Sequence, residues 1–130
     1  MESSEAIATF NECVRRINAH DPKGIVSLCT DDHVFIDSLG SQMSGRERLE
    51  QAWTGYFSLF PHYRFDVEVA GAQNAVVLAC GAASATYATS KKSWRIPAEW
   101  RALVREGQIA GWQVYVTTSP SMSCCLNRNY

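Results

Sequence analysis

The sequence of 130 residues lacks a long apolar run and a strong excess of charge of either sign. Twelve Lys and Arg residues against thirteen Asp and Glu residues leave a formal net charge of −1. The missing basic patch argues against nucleic acid as a partner, and the missing apolar run argues against a membrane protein. The acidic first ten residues lack the features of a signal peptide, so we expect a cytoplasmic protein.

Cysteine is present, but without a pattern. Five cysteines and no C-x-x-C spacing predict neither a disulfide framework nor a structural zinc site. Cys13, Cys29 and Cys80 lie in apolar runs and are expected in the core. Cys124 and Cys125 form an adjacent pair in a polar C-terminal stretch, and the sequence assigns them no role.

Sequence motifs that indicate a particular chemistry are also missing. The chain has no glycine-rich phosphate loop and no G-x-S-x-G nucleophile motif. Neither His20 nor His62 has a carboxylate at metal-ligand spacing, and we expect neither a metal nor a cofactor. We expect His33 at the surface or at the rim of the fold.

Three stretches in the first half of the chain have helical periodicity. Ser3 or Ser4 can cap the first helix. Asp21 can cap a second, short helix, of which Pro22 is the first residue. Ser44 and Glu47 form a capping box for a third helix, which ends before Pro61. The apolar faces of the first and third helices are Ile7, Phe10, Cys13, Val14 and Ile17, and Leu49, Trp53, Tyr56, Phe57 and Phe60.

Strand periodicity appears once early and four times late. The early strand spans residues 33–38, and a loop follows at 40–44. Gly81 predicts a bend or bulge in a long strand, and Glu106-Gly107 predicts a tight turn. The four late strands are expected at 63–69, 75–89, 94–105 and 109–118.

Helices on one side of a mostly antiparallel sheet define an α+β fold. We expect the sheet to curl around the first helix and leave a cone with an open end, where a small apolar molecule would bind. One domain is expected over residues 1–118, followed by a loosely ordered polar tail at 119–130.

Residues 18–40, 44–57 and 104–116 resemble SnoaL-like and ketosteroid-isomerase-like proteins of the nuclear-transport-factor-2-like superfamily. The resemblance covers roughly residues 5–118 and implies a conical α+β barrel, also described as cystatin-like, with a deep apolar pocket. It also implies a homodimer, for which outward residues such as Gln113 and Tyr115 are candidates.

The resemblance implies that Asp37 is a general base that moves a proton beside a ketone. From the residues alone, acceptance of backbone N–H groups in the following turn is the more common role for such an Asp, and the resemblance makes the two roles equal alternatives. In the isomerases a Tyr and a protonated Asp hold the oxyanion. Here Cys13, a weak donor, stands at the Tyr position. The second position is either Glu99 or Trp100, and alternation favours Trp100 inside.

Two functions therefore remain open. One is an enzyme that uses Asp37 for general acid/base chemistry on an apolar carbonyl-type molecule, of isomerase, cyclase, dehydratase or hydrolase type. The other is a non-catalytic module for apolar-ligand binding or dimerisation. The expected ligand-binding residues are Cys13, Ile17, Phe35, Trp53, Phe57, Trp100, Trp112, Val114 and Val116.

Overall fold

The computed structural model describes residues 3–116, and these form three helices and one six-stranded sheet. The helices come early, and four strands follow the last of them. The helices are α1 Ser3–Asn18, α2 Pro22–Ser27 and α3 Arg46–Leu59. The strands are β1 Cys29–Ile36, β2 Gln42–Ser44, β3 Arg64–Gln73, β4 Val76–Thr86, β5 Ser93–Arg105 and β6 Gln108–Val116.

The strands lie in the order β2-β1-β6-β5-β4-β3. The β1–β6 pair is parallel and the other pairs are antiparallel, so the predicted α+β class is confirmed. The curved sheet stays open because β2 and β3 form its two edges. Parallel pairing places Phe35 beside Trp112, which brings the early strand against the end of the described chain.

Helix α1 packs against the sheet through one face. Ala6, Phe10, Cys13 and Ile17 are each at most 2 % exposed, and their spacing of three or four residues places them on one side of a helix. At its last residue, Asn18 binds the β3 backbone in both directions. Its Nδ2 donates to the Phe65 carbonyl and its Oδ1 accepts from the Phe65 N–H, both at 3.0 Å.

The helix starts agree with the sequence in one case and differ in another. The Asp21 side chain accepts a hydrogen bond from the Gly24 N–H, which confirms the predicted cap of α2. The capping box predicted for α3 is wrong. Gly45 is the N-cap, with a φ of 99°, and no side chain caps the helix. Ser44 belongs to β2, a short strand that occupies part of the expected loop.

The predicted irregularity at Gly81 is confirmed as a bulge in the facing strand. The β3–β4 register shifts between Val67 and Val69, and Gly81 pairs with Val67. A side chain on Gly81 would overlap the carbonyl oxygen of Asp66. The turn between β5 and β6 is also as expected, and both Glu106 and Gly107 have positive φ.

The cysteines divide into two groups. Cys13 and Cys29 are buried free thiols, as expected. Cys80 is also buried, at 4 % exposed, as expected. Cys124 and Cys125 lie outside the described residues, as does the expected boundary between the domain and the tail.

Candidate functional site

His33 lies in the interior of the fold, not at the surface or rim where the sequence placed it. The residue is 2 % exposed. Its Nδ1 lies 2.9 Å from the Thr30 carbonyl oxygen, and its Nε2 has no hydrogen-bond partner among the described residues. Because a carbonyl can only accept, Nδ1 carries a hydrogen. In the neutral ring, the lone pair is therefore on Nε2.

An apolar cavity lies beside His33 at the junction of α1, α2, α3, β1 and β6. Its free volume is about 10 Å³, room for about one water molecule. A cavity of this size, formed by the described residues, has no room for a ring-sized molecule. The cavity is lined by Cys13, Ile17, Ile25, Cys29, His33, Val34, Phe35, Leu49, Trp53, Ile109 and Trp112.

The predicted site residues fall into two groups in the structure. Five of them, Cys13, Ile17, Phe35, Trp53 and Trp112, line the cavity together. The other predicted ligand-binding residues pack outside this lining. They are Phe57 and Trp100, which are buried in the core, and Val114 and Val116, which pack against it.

Aromatic side chains fill much of the space that the sequence left for a ligand. Trp112 stacks on Phe10 with ring centroids 5.2 Å apart. Trp100 meets Phe65 edge-on at 4.5 Å. Such pairs stabilise a core beyond the apolar area that they bury. Trp100 is 1 % exposed, whereas its neighbour Glu99 lies on the opposite face of β5, beside Cys80 on β4.

Asp37 follows the end of β1 and is partly buried. Its Oδ1 accepts the Leu39 and Ser41 N–H groups at 2.9 and 3.0 Å. The Asp37 backbone N–H donates to the Ser41 carbonyl, which closes the turn. The carboxylate thus has the turn-stabilising role that the sequence also allowed, and Asp37 is not part of the cavity lining.

Arg46, the first residue of α3, binds β1 through hydrogen bonds and an ion pair. Its Nε and Nη2 donate to the Cys29 carbonyl at 3.0 and 2.7 Å, and its Nη1 lies 2.9 Å from the Asp31 carboxylate. Gln108 donates to the same carbonyl at 3.3 Å. Three N–H donors therefore share the Cys29 carbonyl oxygen as their acceptor. The apolar periodicity of the sequence does not predict this contact.

The buried thiols and phenols around the interior are held neutral. Burial raises the pKa of Cys29 to about 11, and it raises the pKa of Cys13 well above its ordinary value. Burial raises the pKa of Tyr56 to about 12 and shifts the pKa of Tyr63 in the same direction. These groups are consequently poor nucleophiles near neutral pH.

The described residues contain no cluster of three or more His, Cys, Asp or Glu side chains that could hold a metal ion. Within residues 3–116, no helix is long and apolar enough to cross a membrane. Among the residues that line the cavity, His33 is the one with an imidazole side chain.

The fold and its interior define the class of small α+β domains in which a curved sheet covers an amphipathic helix. Residues 10–112 match the SnoaL-like domain family, and the chain belongs to that family. No curated protein sequence matches it.

Three solved structures illustrate the likeness. A putative polyketide cyclase from Xanthomonas campestris is 17 % identical, with 88 % of this chain and 92 % of that chain covered and a TM-score of 0.81. An LEH-like epoxide hydrolase from M. tuberculosis is 18 % identical, with 90 % of this chain and 86 % of that chain covered and a TM-score of 0.79. A ketosteroid-isomerase-like protein from Catenulispora acidiphila, in complex with trimethylamine, is 15 % identical over 85 % and 86 %, with a TM-score of 0.79.

Proposed function

We propose that this SnoaL-like domain is an enzyme that transfers a proton on a small apolar molecule with a carbonyl group, and that His33 is its acid/base group. The observation that carries the proposal is the buried Nε2 of His33, which has no partner in the described part of the chain, in a residue that lines an apolar cavity. Leaving such an atom unpaired costs about 1 to 3 kcal/mol. A ligand that donates to Nε2 would offset that cost.

The hydrogen bond from Nδ1 to Thr30 orients the ring and leaves Nε2 as the acceptor. A base held beside a carbon next to a carbonyl removes a proton there and returns it elsewhere. Isomerisation, aldol-type cyclisation and dehydration all need such a step. The polyketide cyclase and epoxide hydrolase names of two similar structures support small-molecule chemistry.

The cavity must enlarge before a ring-sized molecule can enter it. Phe35 and Trp53 form part of its wall, with ring centroids 6.1 Å apart. Phe35 is only partly buried, and we expect it to rotate outward when a substrate binds. Cys13, Ile17 and Trp112 would then form the apolar floor.

Asp37 is the competing acid/base group. Its Oδ1 is used by the turn, and within residues 3–116 its Oδ2 accepts no hydrogen bond. It lies four positions after His33, about 13 Å along an extended strand. The two groups therefore cannot share one proton directly. Asp37 would act at the end of the sheet, whereas His33 acts inside.

Proton exchange on 2-tetralone in D2O tests the proposal without a known substrate. We expect the protein to accelerate incorporation of deuterium beside the carbonyl, as followed by NMR. His33→Leu should reduce this acceleration at least about 100-fold. Asp37→Asn, which keeps an acceptor oxygen for the turn, should retain most of it.

Each other result rejects part of the proposal. If Asp37→Asn loses the exchange and His33→Leu keeps it, then Asp37 is the base and His33 is not. If wild-type protein accelerates exchange on neither 2-tetralone nor a panel of cyclic enones, the enzyme proposal fails.

A non-catalytic binding module is the second candidate, because Cys13 stands where the isomerases have their oxyanion Tyr, and Trp100 rather than Glu99 is buried in the core. Binding of 2-naphthol, whose hydroxyl can donate to Nε2, separates this candidate from the first. Tight binding that requires His33, with no exchange on any carbonyl probe, would favour the module.

A further inference from the structure

Two buried polar side-chain atoms have no hydrogen-bond partner among residues 3–116. One is His33 Nε2, which is an acceptor when Nδ1 donates to Thr30, and the other is Trp94 Nε1. An indole N–H can only donate. The proposed function uses the acceptor and leaves the donor without a role. Because a buried Trp N–H usually finds a partner, the Trp94 N–H requires an explanation of its own.

Trp94 lies on the face of β5 that packs against the interior. Side chains two positions apart in a strand share a face, and Trp94 shares its face with Ala98 and Trp100, which are 2 % and 1 % exposed. Its ring packs edge-on against Phe60, with centroids 5.6 Å apart, and against Tyr63 at 6.4 Å. The Trp94 ring therefore belongs to the apolar interior of the fold.

A continuous set of rings, which we call the aromatic cluster, joins the His33 cavity to Trp94. Trp53 lines the cavity, and its ring centroid lies 6.5 Å from that of Tyr63, which in turn lies 6.4 Å from that of Trp94. Tyr56 packs on both Trp53 and Tyr63, at 5.9 and 4.9 Å. Because two ring-to-ring steps separate the cavity wall from Trp94, a ligand that contacts both ends is longer than one ring. The members of the cluster are Trp53, Tyr56, Phe60, Tyr63 and Trp94.

The phenols of the aromatic cluster keep their hydrogens. Burial, and to a smaller extent the neighbouring Tyr87 phenol, raises the pKa of Tyr56 to about 12. Burial and the neighbouring Tyr56 phenol also raise the pKa of Tyr63. Both hydroxyls therefore stay protonated near neutral pH and, like the Trp94 N–H, can donate. The aromatic cluster thus offers hydrogen-bond donors, whereas His33 Nε2 offers an acceptor.

We propose that the substrate is an elongated apolar molecule of more than one ring, and that the Trp94 N–H binds a carbonyl oxygen at the end far from His33. This inference rests on the proposed function, which assigns the near end to His33. The aromatic cluster parts to admit the molecule, whose rings then replace some of the present contacts of Trp53 and Tyr63. A carbonyl oxygen at Nε1 removes the cost of a buried donor without a partner.

Two naphthols that differ in one group test the assignment. 6-Acetyl-2-naphthol has a hydroxyl that can donate to His33 Nε2 and a carbonyl at the opposite end of its rings, and 6-ethyl-2-naphthol lacks that carbonyl. We expect wild-type protein to bind the acetyl compound at least about tenfold more tightly in calorimetry. Trp94→Phe, which keeps an aromatic ring but has no N–H, should abolish this preference. His33→Leu should weaken the binding of both compounds and leave the preference unchanged.

NMR gives a second readout that does not depend on affinity. The chain has four tryptophans, and the Trp94 indole N–H signal is the one that Trp94→Phe removes. Saturating 6-acetyl-2-naphthol should move this proton signal downfield, whereas 6-ethyl-2-naphthol should leave it in place. Trp112, which lines the His33 cavity, is the matched control, and its indole signal should respond equally to the two compounds.

Three results would overturn the inference. Equal binding of the two naphthols by wild-type protein would indicate that the edge-on Phe60 ring already accepts the Trp94 N–H. A preference that survives in Trp94→Phe would assign the carbonyl to another donor. Binding of neither naphthol would reject the site itself.

The proposed function fails on different evidence. Deuterium exchange on 2-tetralone that requires His33, together with no preference for the acetyl compound, rejects the role of Trp94 and keeps the base. A preference that requires Trp94, without exchange on any carbonyl probe, rejects proton transfer and keeps Trp94 as the anchor of an elongated ligand.

Discussion

The Thr30 carbonyl oxygen accepts the Nδ1 hydrogen of His33 at 2.9 Å, three residues apart in the chain. This short-range bond leaves Nε2 as the ring nitrogen without a partner among the described residues. The burial pattern of β1 supports it: Thr30 and His33 are buried, and Asp31 and Asp32 between them are exposed. The ring therefore has one hydrogen-bonded nitrogen and one without a partner among residues 3–116.

His33→Leu should change the free energy of unfolding by no more than about 1 kcal/mol. The variant loses the bond to Thr30, but it also removes the unpaired Nε2, and the two effects oppose each other. His20→Leu is the contrast, because His20 Nε2 contacts the Tyr63 carbonyl at 2.7 Å and the ring stacks on Phe57. Urea denaturation should show the larger loss for His20→Leu. A larger loss for His33→Leu would indicate a structural histidine.

Periodicity in the sequence predicted the three helices and the late strands, because one-sided burial requires apolar residues at fixed spacing. It also placed Trp100 inside by alternation. His33 shares strand parity with Phe35, which is the signal that could have placed it inside. The sequence interpretation placed it outside because His33 is about 13 Å from Asp37 along a strand, which is too far for a direct pair.

The free volume inside the sheet could not be predicted in this way. Alternation along a strand predicts which side chains point inward. The space left among them depends on how their rings pack, as in the stack of Trp112 on Phe10. The start of α3 was missed for a similar reason. A capping box requires a Ser side chain beside the helix, and pairing of Ser44 with Val34 in the sheet removes it.

Asn18→Asp should destabilise the fold by about 2 kcal/mol or more. The substitution replaces the amide that donates to the Phe65 carbonyl with a carboxylate oxygen, which can only accept. Asn18→Ala should lower the free energy of unfolding by less than Asn18→Asp does. It leaves the Phe65 backbone groups unpaired, but it places no carboxylate oxygen against the Phe65 carbonyl. Asn11→Asp, on the exposed side of α1, is the control and should stay near wild type in thermal unfolding. Equal stability of the two Asp variants would show that the Asn18 contacts contribute little.

Gly81→Ala should lower stability by about 3 kcal/mol or more, because its methyl group would overlap the Asp66 carbonyl across the bulge. Gly71→Ala lies in the neighbouring strand, where an added methyl group meets nothing within 4 Å. That control should change stability by less than about 1 kcal/mol. Comparable unfolding midpoints for the two variants would contradict the close approach at Gly81.

Arg46→Met should separate α3 from β1 and lower stability by about 2 kcal/mol. The Cys29 carbonyl loses its two Arg46 donors and keeps only the longer bond from Gln108. Arg48→Met, at an exposed position on the same helix, is the control and should have a small effect. Hydrogen exchange should also quicken at the start of α3 in the Arg46 variant alone. Matched stability of both variants would mean that the Cys29 carbonyl does not depend on Arg46.

Stability should fall as the pH rises above about 9, because the interior holds acidic groups in their neutral forms. Burial raises the pKa of Cys29 from 9.0 to about 11, so its stabilising effect is complete below pH 9 and is lost as the pH passes through 11. The raised pKa values of Cys13, Tyr56 and Tyr63 act in the same direction. Urea midpoints at pH 7.5 and 10.5 should therefore differ, with Cys29 alone contributing about 2 kcal/mol. In Cys29→Ala the alkaline loss should be smaller by that amount, and an unchanged loss would show that this thiol ionises as freely in the folded chain as in the unfolded one.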